Sequence, residues 1–116
     1  KVSDARRLLA ESPFDHVPVM SGSDLVGILS SRDLLRLTFD AGNADVRSID
    51  AVLDHTFTLE EVMTKDLITL SGGDTIRHAA SLLATHHFHC LPVLEGGDLV
   101  GLVTSTDLIR YLLDQY

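Results

Sequence analysis

Two short stretches carry side chains able to do chemistry together: "GILSSRDLLR" at Gly27–Arg36 and "GLVTSTDLIR" at Gly101–Arg110. Each runs from apolar residues into hydroxyls and an acid, Ser30, Ser31 and Asp33 in one and Thr104, Ser105 and Asp107 in the other. A carboxylate in the first turn of a helix can accept both hydrogens of a vicinal diol such as that of ribose. The helix start beside it offers unpaired N–H groups and a partial positive charge to an anion such as phosphate. The same pattern has a simpler use, because an acid after Ser or Thr caps a helix and complements its dipole, worth about 0.5–2 kcal/mol for a good cap. The residues alone favour capping, and one Asp can serve both ends. Arg32 adds a cation to the first stretch, where Thr106 stands in the second.

The two stretches belong to a longer repeat. An offset of 74 residues aligns Val2–Arg36 with Ile76–Arg110 without a gap, and 16 of the 35 pairs are identical. A duplication of this strength constrains the architecture more than local propensity does. In the second copy, "DLITL" (Asp66–Leu70) predicts an extended stretch, and Asp74 or Thr75 can cap a helix whose apolar positions are Ile76, Ala79, Ala80 and Leu83. "CLPVLEGGDLVGLVTS" then predicts two strands around a Gly-Gly-Asp turn. A last helix follows over about Thr106–Leu113. One unit is therefore strand, helix, strand, strand, helix. In the first copy the helix starts near Ser3 with nothing before it to match Lys65–Thr75, so this repeat is expected to lack its first strand here.

Between the copies, Asp40–Phe57 is polar and weakly periodic, with room for a short helix near Ser48–Leu53. "TLEE" at Thr58–Glu61 predicts a capping box. The expected organisation is residues 1–40 as the first repeat, 41–57 as a linker and 58–116 as the second repeat. The class is α+β, tandem β-α-β-β-α repeats packed as a pseudo-two-fold pair.

Composition narrows the partners. The chain has 116 residues, 45% of them hydrophobic, and a net charge of −8. That is ample material for a core. No basic stripe is present for phosphate-backbone contacts, so nucleic acid is not an expected partner. No apolar run is long enough to enter a membrane, and no signal-peptide pattern opens the chain. The single cysteine, Cys90, has no internal partner, which fits a reducing, cytoplasmic setting. His86, His87 and His89, with His78 nearby, lack the pair-plus-pair spacing of a zinc site, so no metal is assigned. No nucleophile–base–orienter set and no phosphate loop of the NTPase type is visible, so no catalytic residue is assigned and the chain is not read as an enzyme.

In content the repeats resemble CBS domains, the small module named after cystathionine β-synthase, through "VPVMSGSDLVGILSSRDLL" in copy one and "VMTKDLITLSGGDTIRHAASLLATHHFHCLPVLEGGDLVGLVTSTDLI" in copy two. Gly-x-x-[Ser/Thr]-x-x-Asp alone is a weak signal; twice, in order, behind an x-Pro-Val strand, it is a strong one. The resemblance implies a paired unit, the Bateman module, that binds an adenosine ligand (AMP, ADP, ATP or S-adenosylmethionine) in clefts between the repeats and forms homodimers. It implies that Asp33 and Asp107 hold ribose, with Ser30, Ser31, Thr104 and Ser105 near the ribose-phosphate. Arg32 would add a phosphate contact in copy one, against Thr106 in copy two. Adenine would lie against Leu67, Ile68 and Thr69 with His89, Cys90, Leu91 and Pro92, and in copy one against His16, Val17 and Pro18. The ligand would be regulatory rather than a required cofactor, and would act on an attached or partner effector domain. The alternative is a structural dimerisation module that binds nothing.

Overall fold

The computed structural model describes the backbone of residues 1–40 and 46–116, and the side chains of 1–37 and 49–116. Its elements run α1 (Val2–Glu11), β1 (His16–Ser21), β2 (Asp24–Ser30), α2 (Ser31–Asp40), α3 (Val46–Thr56), α4 (Leu59–Val62), β3 (Leu70–Ser71), α5 (Ile76–Thr85), β4 (Cys90–Glu95), β5 (Asp98–Thr104) and α6 (Ser105–Asp114). The class is α+β, with a two-stranded sheet, β1–β2, and a three-stranded sheet, β3–β4–β5. The chain forms two compact units, Lys1–Ser21 with Leu25–Asp66, and Gly22–Asp24 with Leu67–Tyr116. Segment 46–57 and α4 thus belong to the first unit, and residues 41–45 of the expected linker lie outside the described residues.

In the first unit, Val2 and Leu9 of α1, Leu29 of β2, Leu34 of α2 and Leu53 of α3 form the buried core. Ile49 and Phe57 of the expected linker, and Leu59 and Val62 after it, pack against this core. The predicted helix near Ser48–Leu53 extends further, to Val46–Thr56. Asp50 and Asp54, one turn apart, fix it to α1. Arg6 pairs with Asp50 through both Nε and Nη2, the latter at 3.0 Å. Ser3, buried, donates its N–H and hydroxyl to Asp54 at 2.9 and 2.5 Å. The Arg6 hydrogen bond holds Asp50 below the usual carboxylate range, and the two Ser3 donors do the same for Asp54.

In the second unit, β4 pairs antiparallel with β5 and parallel with β3, with Leu70 opposite Val93. Leu70, Ala79 and Leu91 are the buried core, and Ile68, Leu82, Leu83, Phe88, Val103 and Leu108 pack on it. Two expectations are corrected. The stretch Asp66–Leu70 is not a strand along its length, because the ladder to β4 covers only Leu70 and Ser71. The core face of α5 is Ala79 with Leu82 and Leu83, whereas Ile76, 45% exposed, and Ala80 face solvent. The β4–β5 turn uses Gly96 and Gly97 at φ 59° and 89°, the double positive φ that a tight hairpin of this hand requires. Thr75, not Asp74, caps α5, accepting from His78 N–H at 3.0 Å; Asp74 instead accepts from Ser71 N–H at 2.8 Å.

Candidate functional site

Each hairpin delivers its hydroxyl and acid to a helix start, and the local chemistry repeats. In the first unit, Ser30 N–H donates to Asp33 Oδ2 at 3.0 Å and Asp33 N–H donates to Ser30 Oγ at 3.1 Å. In the second, Thr104 N–H donates to Asp107 Oδ2 at 2.8 Å and Asp107 N–H donates to Thr104 Oγ1 at 3.1 Å. Both are reciprocal boxes that satisfy two of the free donors of a helix start. The next residue ties the junction to the strand beside it: Ser31 N–H donates to the Asp15 carbonyl at 2.9 Å, and Ser105 N–H to the His89 carbonyl at 3.1 Å. The capping reading of the acids is therefore present in both copies. It uses one carboxylate oxygen, leaving Oδ1 of Asp33 and of Asp107 without a hydrogen bond among the described residues.

Beside Asp33 lies a groove of about 250 Å³, lined by Asp33, Arg36, Leu37, Phe57, Glu61 and Val62. Arg36, rather than Arg32, is the cation that lines it, although both are exposed. Sequence reasoning missed Arg36, although a signal existed: it stands three residues after Asp33, on the same helical face, and it repeats as Arg110. Phe57 was read as linker, and Glu61 and Val62 as the start of the second repeat, so none was expected beside Asp33. Glu61 closes the expected capping box on α4, where Thr58 N–H reaches its Oε1 at 3.1 Å and Glu61 N–H reaches Thr58 Oγ1 at 3.3 Å.

The residues proposed for an adenine slot fall into two groups. Leu91 is fully buried, Pro92 is buried, and Ile68 and Val17 pack on the cores of their units, so these shape the scaffold. Leu67, His16 and Pro18 are half-buried, and Thr69 and His89 are exposed. Cys90 is 8% exposed. Burial first, and the negative charge of Asp107 second, push its thiol up to about 11. Thr106 and Asp107 are exposed, and Ser30, Ser31, Asp33, Thr104 and Ser105 are half-buried. Among the described residues no three metal-ligating side chains converge, and His86 stacks on Phe88 with ring centres 5.5 Å apart.

A mixed α+β chain that twice ends a hairpin in a capped helix defines a tandem-repeat module. The chain matches the CBS domain family over residues 1–40 and 59–114, and it belongs to that family. It is 31% identical over 120 residues to the protein MJ1225 of Methanocaldococcus jannaschii, covering 96% of this chain and 40% of that one. Among solved structures it is similar to CBSX2 in complex with AMP, with a TM-score of 0.76 and 28% identity over 98% of this chain and 82% of that one. It is similar also to the CBS domain pair of protein MJ0100 in complex with 5′-methylthioadenosine and S-adenosyl-L-methionine, with a TM-score of 0.75 and 25% identity over 99% and 83% of the two chains. The chain spans between 20% and 40% of the length of the curated relatives that it matches first. No helix among the described residues is long and apolar enough to cross a membrane.

Proposed function

We propose that this chain is a regulatory module that binds an adenosine ligand, of the AMP, ADP, ATP or S-adenosylmethionine type, at its hairpin-to-helix junctions. The observation that carries this reading is the half-used carboxylate. Capping occupies Oδ2 of Asp33 and Asp107 and leaves Oδ1 of each to accept from a ribose hydroxyl. The AMP and S-adenosyl-L-methionine complexes of two similar structures support the ligand class. At the first junction Arg36, which lines the groove, and Arg32 would offer cations to a phosphate, whereas Thr106 makes the second junction less cationic. Ligand would shift the population of module arrangements, and an attached or partner effector would respond. Such a shift needs unequal affinity for the arrangements. Melting the chain with AMP, ADP, ATP and S-adenosylmethionine in turn tests this. The expected result is a rise in Tm with at least one of them, and no rise at millimolar concentration of any would overturn the reading.

A second reading, a ligand-free dimerisation module, has its own observation. Ile109, Leu112 and Leu113 recur at i, i+3 and i+4 along the end of α6 and are 56–67% exposed. A helix stripe of this kind is what a homodimer would cover. Sedimentation without nucleotide separates the two, since this reading predicts a dimer that Leu113→Glu dissociates.

A further inference from the structure

The groove beside Asp33 brings together charges that do not satisfy one another. It lies wholly within the first unit, where α2 supplies Asp33, Arg36 and Leu37, and Phe57 with Glu61 and Val62 of α4 supply the rest. Capping engages Oδ2 of Asp33 and Oε1 of Glu61. Oδ1 of the one and Oε2 of the other make no hydrogen bond among the described residues. Neither acid forms an ion pair there, and the Arg36 guanidinium on the same groove pairs with neither. Two carboxylates facing one guanidinium leave the lining with an excess of negative charge.

The size of the groove makes that excess felt by any occupant. Its volume, about 250 Å³, is that of a cube about 6 Å on edge, less than the Debye length of about 8 Å at physiological salt. Whichever way a nucleoside lies on Asp33, its 5′ substituent therefore stays within range of both Glu61 and Arg36. One phosphate can meet Arg36. Each further phosphate adds negative charge near Glu61 with no second cation in the lining, because Arg32 stands outside it. A 5′ sulfonium bearing an amino-acid tail meets the reverse situation. Its carboxylate suits the Arg36 fork. Its sulfonium and ammonium suit the two free carboxylate oxygens and an aromatic neighbour, Phe57, and its methylenes suit Leu37 and Val62.

We propose that Glu61 is a charge filter that makes the groove at the first junction selective for S-adenosylmethionine over nucleoside polyphosphates. The inference rests on the reading of this chain as an adenosine-binding module; it adds which ligand of that class the first junction takes and which residue decides. Specificity of this kind comes as much from the repulsion of the wrong ligand as from contacts with the right one. Charges this close and partly screened change affinity by about two- to fourfold for each unit of ligand charge.

The test titrates adenosine, ATP and S-adenosylmethionine in turn into the intact 15N-labelled 116-residue chain, at low salt and without magnesium. The amides of Asp33, Leu37 and Val62 report binding at this groove alone. Each titration is repeated on Glu61→Gln and on Glu60→Gln. Glutamine keeps an oxygen for Thr58 N–H, so α4 stays capped. Glu60, next in sequence and exposed, does not line the groove, so its variant controls for net charge. S-adenosylmethionine should bind the unaltered chain more tightly than ATP. Glu61→Gln should leave neutral adenosine unchanged, weaken S-adenosylmethionine about twofold and strengthen ATP about tenfold. Glu60→Gln should move the ratio of the two affinities by less than about threefold. Tighter binding of ATP to the unaltered chain would overturn the filter, as would a ratio that Glu61→Gln leaves unmoved or that Glu60→Gln moves equally. In each of those cases adenosine still binds and the broader ligand reading stands. If adenosine too leaves all three amides unperturbed at millimolar concentration, both fall together.

Discussion

Replacing Asp107 separates the cap from the ligand contact, because the two roles make different demands on one side chain. Asp107→Ala removes the acceptor of Thr104 N–H, now at 2.8 Å, and the charge at the start of α6. The expected loss is about 1 kcal/mol, within the range for helix caps, or a Tm lowered by roughly 4–8 °C for a domain of this size. Asp107→Asn keeps an oxygen for Thr104 and loses only the charge, so its cost is a few tenths to about 1 kcal/mol. Ligand binding is affected differently. Hydrogen bonds from ribose hydroxyls to a carboxylate are worth about 1.5–3 kcal/mol, so Asp107→Ala should weaken the second junction by roughly 10- to 150-fold. At a ligand concentration of about 100 Kd the stabilisation is near 2.7 kcal/mol; after a hundredfold loss of affinity about 0.4 kcal/mol is left. Thermal melts with and without AMP or S-adenosylmethionine read both quantities, and calorimetric titration checks the affinity directly. If Asp107→Ala lowers the Tm of the free chain but leaves the ligand-induced rise intact, Asp107 is a cap and nothing more.

Gly27→Ala should cost about 1–3 kcal/mol through overpacking against Met63 and Thr64, while Gly101→Ala should change the Tm little; a tolerated Gly27→Ala in chemical denaturation would contradict the close approach. Cys90 should resist alkylation in the folded chain at pH 8 and react on unfolding. Its thiol ionises near 9.0 when free and near 11 when folded. Stability is therefore intact below about pH 9 and falls as pH rises toward 11, by roughly 2–3 kcal/mol, a slope that Cys90→Ala should abolish. Asp50 and Asp54 have depressed folded pKa values, so their stabilisation is present above about pH 4 and lost as pH falls through the folded values. Asp50→Asn should flatten the acid limb of an unfolding curve, and an unchanged limb would rule out the Arg6 pairing as its source. Leu53→Ala, at a fully buried position of the first core, should cost about 2–5 kcal/mol, measured by urea unfolding.

The duplication is legible in the residues alone, and with it the unit of hairpin and helix, the capping boxes at Ser30–Asp33, Thr58–Glu61 and Thr104–Asp107, and the membership of Cys90 in an apolar strand. These are local or periodic properties: a box needs residues three apart, and a repeat needs only self-comparison. Tertiary structure alone decided that segment 46–57 belongs with the first unit. It settles there because Leu53 has α1 to bury against and because Asp50 and Asp54 meet Arg6 and Ser3 some fifty residues away. It decided that Arg36, Phe57 and Glu61 share a groove with Asp33. It also gave two identical glycines different surroundings, Gly27 under Met63 and Gly101 in the open. Residue type and spacing fix what a side chain can offer along its own element. What it meets depends on chain that is distant in sequence, and no local pattern encodes that distance.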